Sequence, residues 1–335
     1  IGVDLFFVLS AYLLTQLMLE ERETTGSLDL KAFYIRRALR IWPLLFLAVL
    51  LGTVVFPLLG VLGPAWASEA HLSLAARHGI ANLLFMANVA TGVFGYAATP
   101  IMAPLWSIAL EEQFYLVWPW TLRAALSWTA RHRVRLFLSA AVLSLGAKAI
   151  LLMVGVSHPM IWTQTLCRLE PMVCGAALAF MSRGLLPGWP TIRRLGMLWP
   201  AVAVTCGGAV VLLPNVDQHT PLLFLTYPLA ALSMTALLLA TVLGRRLPQL
   251  LGTAVARWLG KVTYGLYVYH VACIYIAVAI VRRFSVGMEP LLAWSMTAVL
   301  AALATVCAAG VSYRTFESPF LRLKERFARV DSRPV

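Results

Sequence analysis

Apolar runs close to the roughly 20 residues that cross a bilayer as a helix recur along the whole chain. A soluble fold of 335 residues has too little interior to bury them all. Composition agrees: 61% of the residues are hydrophobic and 12% charged, against about 25% charged in an ordinary soluble domain. In lipid every backbone polar group needs an internal partner, which leaves the helix as the solution for runs of this length. The fold class implied is all-α, a polytopic transmembrane helix bundle, read as a single membrane domain over 1–335. Nine spans are expected, at about 5–19, 41–63, 104–122, 136–156, 164–182, 197–213, 222–243, 263–281 and 291–311.

The formal charge of +13 is sorted by position. Connections 20–40, 123–135, 183–196, 244–261 and 312–335 hold 22 Lys and Arg, while 64–103, 157–163, 214–221 and 282–290 hold three, Arg77, Arg282 and Arg283. This is the positive-inside asymmetry, so the first set is expected in the cytoplasm, with the C-terminus. Most of the basic charge is then topology, and nucleic acid is not an expected partner. The stretch 79–98 is apolar enough to suggest a tenth crossing. It would invert every later loop, and it carries Asn82 and Asn88 and leads to Pro100 and Pro104. It reads as an external interfacial or re-entrant segment. The chain begins Ile-Gly-Val-Asp straight into an apolar run, unlike a signal peptide. The expectation is that one helix precedes Ile1. Cys167 and Cys174 are seven residues apart on one expected helix, about 10 Å, too far for a disulfide. All five cysteines are expected as free, buried thiols, with no metal site.

Three clusters carry possible chemistry. In Phe33–Pro43, Arg37 and Arg40 lie one turn apart at the cytoplasmic mouth of a span. Paired guanidinium groups suit phosphate, and they also suit plain topogenic charge beside an anchoring Trp. In Leu105–Pro119, Glu111 and Glu112 sit near the middle of an expected span, where each charge costs roughly 3 kcal/mol. Glu112 shares a face with Tyr115 at i, i+3 and is the expected functional carboxylate. Glu111 is expected to serve a nearby cation or amide, with Arg168 and Lys148 as possible ion-pair partners for the two. The third cluster is dispersed: Arg168 and Glu170 open one span, Lys148 lies in another and His270 in a third. A lone His in a bundle is commonly a structural hydrogen-bonder, and Lys148 can snorkel outward. The chain has no G-x-S-x-G elbow, H-E-x-x-H helix, H-x4-D pair, P-loop or dinucleotide fingerprint. Hydropathy alone leaves a transporter open.

Gly2–Leu13 resembles the second-helix signature of membrane acyltransferase family 3, the bacterial O-antigen, exopolysaccharide and macrolide O-acyltransferases. Residues 33–43 are similar to the family's R-x-x-R motif, and Leu105–Pro119 resembles its E-x-x-Y motif. Arg168–Gly175, Tyr264–His270 and Ser312–Pro319 match weaker patterns in order. The resemblance covers essentially the whole chain. It implies ten helices with both termini inside, in agreement with nine plus one upstream. It also places an arginine and a proposed catalytic histidine on that upstream helix, so no residue here inherits the histidine's role.

The implied reaction moves an acyl group from cytoplasmic acyl-CoA, acetyl-CoA in the first instance, to a hydroxyl of an extracytoplasmic glycan, lipid-linked sugar or small hydroxylated acceptor. The implied location is the bacterial inner membrane. Arg37 and Arg40 would hold the CoA phosphates. Glu112 and Tyr115 would orient or polarise the thioester or relay a proton. Asp4, Arg168, Glu170 and His270 would meet the acceptor. The alternative is a non-catalytic exporter of a small acid or glycolipid along the same polar path.

Overall fold

The computed structural model of the protein describes residues 2–58, 68–214, 220–244, 246–284 and 288–328. Among them every regular element is helical. The principal helices are α1 (Gly2–Thr25), α2 (Leu30–Leu50), α3 (Glu69–Leu83), α4 (Ala87–Phe94), α5 (Trp106–Leu126), α6 (Ala130–Met153), α7 (Leu169–Ser182), α8 (Trp199–Leu212), α9 (Leu223–Leu243), α10 (Ala254–Phe284), α11 (Pro290–Ser312) and α12 (Ser318–Glu325).

Among the described residues six helical stretches are long and apolar enough to cross a membrane: Gly2–Thr25, Leu30–Leu58, Ala130–Met153, Leu223–Leu243, Ala254–Phe284 and Pro290–Glu325. Three expected spans fall outside that set. The one at 104–122 is α5, which has 21 residues but carries both glutamates. Those at 164–182 and 197–213 hold α7 and α8, of 14 residues each. Positions 59–63 of the expected span 41–63 lie outside the described residues. The stretch 79–98 forms the end of α3 and the whole of α4, helices of 15 and 8 residues, both shorter than the roughly 20 that a crossing needs. Where the long helices leave their neighbours they show apolar side chains. Leu138, Val142, Val299 and Leu303 are all 60% exposed or more. A face like this is costly in water and natural in lipid.

The helices pack into two compact units, Ile1–Leu28 with Leu110–Thr253, and Asp29–Ala109 with Ala254–Val335. In the first, α1 packs along α7, and α8 along α9. Small residues allow the α1–α7 approach: Ala11, Ala176 and Ala179 are fully buried. A Cβ on Gly175 would stand 2.1 Å from the Val8 carbonyl oxygen, so only glycine fits there. Crossing the same unit, Trp118 Nε1 donates to Thr15 Oγ1 at 2.8 Å, and Phe114 stacks on Trp118.

In the second unit α10 packs against α11, and Gly265 faces the Ala309 backbone. Asp29 caps α2 by accepting from Ala32 N at 3.0 Å, and Glu289 caps α11 from Leu292 N at 3.0 Å, satisfying otherwise orphaned amides. After Leu50, α2 widens into a π-helical turn over Leu51–Val55. There Gly52 lets Thr99, Ile101 and Met102 come in close. Cys167 lies on the 3-10 turn Leu166–Arg168, ahead of the helix that carries Cys174. All five cysteines are free; of the five expected to be buried, Cys167 and Cys273 are, Cys174 and Cys206 are half-buried, and Cys307 is exposed on α11.

Candidate active site

Helix α5 carries the Glu-Glu pair into the first unit. The Tyr115 hydroxyl donates to Glu111, one turn back on the same helix. Ser10 of α1 donates to the same Glu111 oxygen, and its Oγ lies 2.6 Å from the Tyr115 hydroxyl. Three oxygens from two helices thus form a triangle. Glu111 and Tyr115 are buried, while Ser10 is only half-buried. The expected pairing of Tyr115 was with Glu112; the geometry gives Tyr115 to Glu111, and Glu112 is half-buried on the adjacent face. Ser10 lies within the Gly2–Leu13 signature, yet nothing in its local sequence marks it as a partner of residues a hundred positions away.

A second polar cluster sits at the start of α7. Arg168 donates to Asp4 at 2.7 Å, both essentially without exposure. The guanidinium lies 4.2 Å from the centre of the Trp162 ring, with Tyr227 and Phe7 also close. Lys148 donates to Glu170. It is fully buried, so it does not snorkel out to water. Two cations and two carboxylates therefore offset one another, as buried charges must. The sequence offered Arg168 and Lys148 as partners for Glu111 and Glu112; the fold pairs them with Asp4 and Glu170. The Nε of Arg168 is buried and has no hydrogen-bond partner among the described residues.

Between α5, α6 and α7 lies a cavity of about 380 Å3 lined by Phe114, Trp118, Phe137, Met172 and others. Its wall is mostly apolar, with one polar link, Thr165 Oγ1 donating to Gln113 Oε1 at 2.6 Å.

The second unit holds Arg37, Arg40 and His270. Arg37 lies over the Phe33 ring at 5.9 Å, and Arg36 donates to the Phe327 carbonyl at 2.7 Å. Lys324 of α12, which packs on α2, stands in the electrostatic field of Arg36, Arg37 and Arg40. Four cations thus gather at this end of α2, with Glu317 close enough to feel Arg40. Lys324 was legible only as one more basic residue in a C-terminal tail. His270 Nδ1 lies 2.5 Å from the Tyr267 carbonyl oxygen, a local bond within α10. The Tyr267 hydroxyl reaches Ser107 and the Pro104 carbonyl. His270 and the Asp4–Arg168–Glu170 group therefore belong to different units. His78 of α3, not singled out by sequence, is buried with Nε2 unpartnered among the described residues. Burial holds it below the usual imidazole range, opposed by a hydrogen bond to the Gly95 carbonyl. Among the described residues no group of three His, Cys, Asp or Glu could hold a metal ion.

Comparison with known proteins bears on this arrangement. The chain is 28% identical to the peptidoglycan O-acetyltransferase OatA of Listeria monocytogenes over 338 residues, 95% of this chain and 51% of the relative. It is 29% identical to the putative peptidoglycan O-acetyltransferase YrhL of Bacillus subtilis over 342 residues, 95% of this chain and 50% of the relative. A putative O-acetyltransferase of Staphylococcus aureus is 27% identical over 349 residues, spanning the whole chain and 54% of the relative. The chain thus spans about half the length of the relatives it matches. No solved structure matches it. Residues 1–314, which hold the Ser10–Glu111–Tyr115 triangle, the buried ion pairs and the arginines of α2, match the acyltransferase domain of acyltransferase family 3, and the chain belongs to that family.

Proposed function

We propose that this chain transfers an acyl group, acetyl in the first instance, from acyl-CoA on the cytoplasmic side to a hydroxyl of an extracytoplasmic glycan. The observation that carries the reading is the Ser10–Glu111–Tyr115 triangle, because hydroxyl and carboxylate in mutual contact are what proton transfer in acyl transfer requires. Relatives named as peptidoglycan O-acetyltransferases point to a glycan acceptor.

The roles divide by position. Arg37 and Arg40, reinforced by Arg36 and Lys324, offer concentrated positive charge for the phosphates of CoA. Arg168, with one buried donor still available, and its partner Asp4 suit an acceptor's oxygens, with Glu170 held beside them by Lys148. His270, bonded within its own helix turn, is a weaker acceptor contact. Tyr115 and Glu111 handle the proton, and Glu112 is the second carboxylate within reach of the thioester. Cytoplasmic placement of the C-terminus rests on the sorting of Lys and Arg.

The test uses membranes from cells producing the full-length protein, given acyl-labelled acetyl-CoA and peptidoglycan fragments. Label in ester linkage on the glycan is the expected result. A labelled or unlabelled solute crossing the membrane unmodified, with no ester formed, would replace this reading by an exporter.

A further inference from the structure

Resting on the acyl-transfer reading above, we propose that Ser10 is a covalent way-station: its Oγ accepts the acyl group from acyl-CoA, with Glu111 as its base and Tyr115 as the orienting group, before the acceptor hydroxyl takes it.

Three observations carry the inference. The first is the arrangement of nucleophile, base and orienter: Ser10 donates to Glu111, and Glu111 is held from the other side by Tyr115. A nucleophile hydrogen-bonded to a base that a third group fixes is the recurring architecture of covalent catalysis. The second is access. Of the three, only Ser10 is half-buried; Glu111 and Tyr115 are 4% and 3% exposed. The nucleophile therefore stands in front and the base behind it.

The third is the proton path. Ser10 Oγ donates directly to Glu111 and lies 2.6 Å from the Tyr115 hydroxyl, so its proton reaches the base in a single transfer.

The step balances. Ser10 Oγ attacks the thioester carbonyl carbon as its proton passes to Glu111. The tetrahedral intermediate collapses with cleavage of the C–S bond, and the CoA thiolate takes the proton from Glu111 and leaves as thiol. Ser10 is now an ester, and Glu111 is again ionised. An acceptor hydroxyl then gives its proton to Glu111 and attacks the ester carbonyl. The C–O bond to Ser10 breaks, and the proton returns to Ser10 Oγ. No oxidant or metal enters. Depth along the helices agrees: Ser10 lies eight residues into α1, and Glu111 five into α5, which is about 12 and 8 Å at 1.5 Å per residue. The way-station would lie inside the membrane, between a donor on one face and an acceptor on the other.

The experiment uses full-length protein in nanodiscs with acyl-labelled acetyl-CoA and no acceptor. Digestion and mass spectrometry are expected to find one acetyl group on the peptide containing Ser10, released when peptidoglycan fragments are added. Labelled CoA should exchange into acetyl-CoA without acceptor, the kinetic mark of a covalent intermediate. Ser10→Ala should abolish both and lower transfer by about 100-fold or more, while Ser10→Cys should carry the label as a thioester. Transfer to glycan with the label on another residue, or with no exchange, overturns the proposal and leaves the acyl-transfer reading standing. Absence of both transfer and adduct overturns both. The adduct measurement needs only the unsubstituted protein, so a variant that fails to fold does not remove the test.

Discussion

The Asp4–Arg168 pair can separate folding from function. Its partners meet at 2.7 Å, with side chains 0% and 1% exposed. Removing one member of a buried pair leaves the other charged and unpaired, at about 3–5 kcal/mol. Removing both, with similar volume restored, is commonly neutral or stabilising. Asp4→Asn should therefore destabilise strongly, lowering the melting temperature in detergent on the order of 10 °C at about 2–4 °C per kcal/mol. Asp4→Leu combined with Arg168→Met should recover most of that loss. Trp162, Tyr227 and Phe7 around the guanidinium can pack a thioether in its place. Lys148 and Glu170 form the adjacent pair and feel the change, so recovery is expected to be incomplete. The double variant then reports on function alone: if the pair meets the acceptor, KM for the glycan rises while the melting curve stays near that of the unsubstituted protein. The assay pairs detergent thermal scans with acylated product per unit of monodisperse protein. An Asp4→Asn protein that melts like the unsubstituted one would refute the energetic argument. A double variant with unchanged KM would refute the acceptor role.

Gly175→Ala places a Cβ against the Val8 carbonyl and should cost about 1–3 kcal/mol, read as a lowered melting temperature with reduced transfer, because α1 carries Ser10. Arg37→Ala with Arg40→Ala should raise KM for acyl-CoA about 10-fold or more, the loss of two charge-assisted phosphate contacts, at an unchanged protein level in the membrane. Lys at both positions should rescue only in part, lacking the planar fork; loss of protein instead would mark the pair as topogenic. Glu111→Gln should lower turnover about 100-fold or more and Tyr115→Phe less, with Glu112→Gln the mildest of the three. Equal turnover in Glu111→Gln and the unsubstituted protein would remove Glu111 from the chemistry.

The class of fold was readable because hydropathy acts over whole runs: Leu223–Leu243 and Pro290–Ser312 have no charged residue to confuse the signal. The helices hardest to read were those that the site requires. α5 pays for its two glutamates in apparent hydropathy, and α7 begins only at Leu169 because a 3-10 turn delivers Arg168 first. The choice between Glu111 and Glu112 could be narrowed further from the sequence than family spacing suggests. At about 100° per residue, Tyr115 lies about 60° from Glu112 and about 40° from Glu111, so the i, i+4 partner is the better aligned. Partnership across helices is another matter. Ser10 and Glu111 are 101 positions apart, Asp4 and Arg168 164, and no local pattern relates them.

For the buried cations, however, position along the helix explains the outcome. Lys148 is five residues from the end of α6 at Met153, about 8 Å, and its four-carbon stem covers most of that distance. A lysine inside a membrane extends its ammonium toward the nearer helix end to meet water or a counter-charge. At Lys148 the counter-charge is Glu170, one residue into α7. Asp4 and Arg168 likewise stand within three residues of the first residue of α1 or α7. Glu111, five residues into α5, meets hydroxyls in the first unit, from Ser10 and Tyr115. Hydroxyls in direct contact with a carboxylate can pass it a proton in one step, and the chemistry proposed for Glu111 requires that contact.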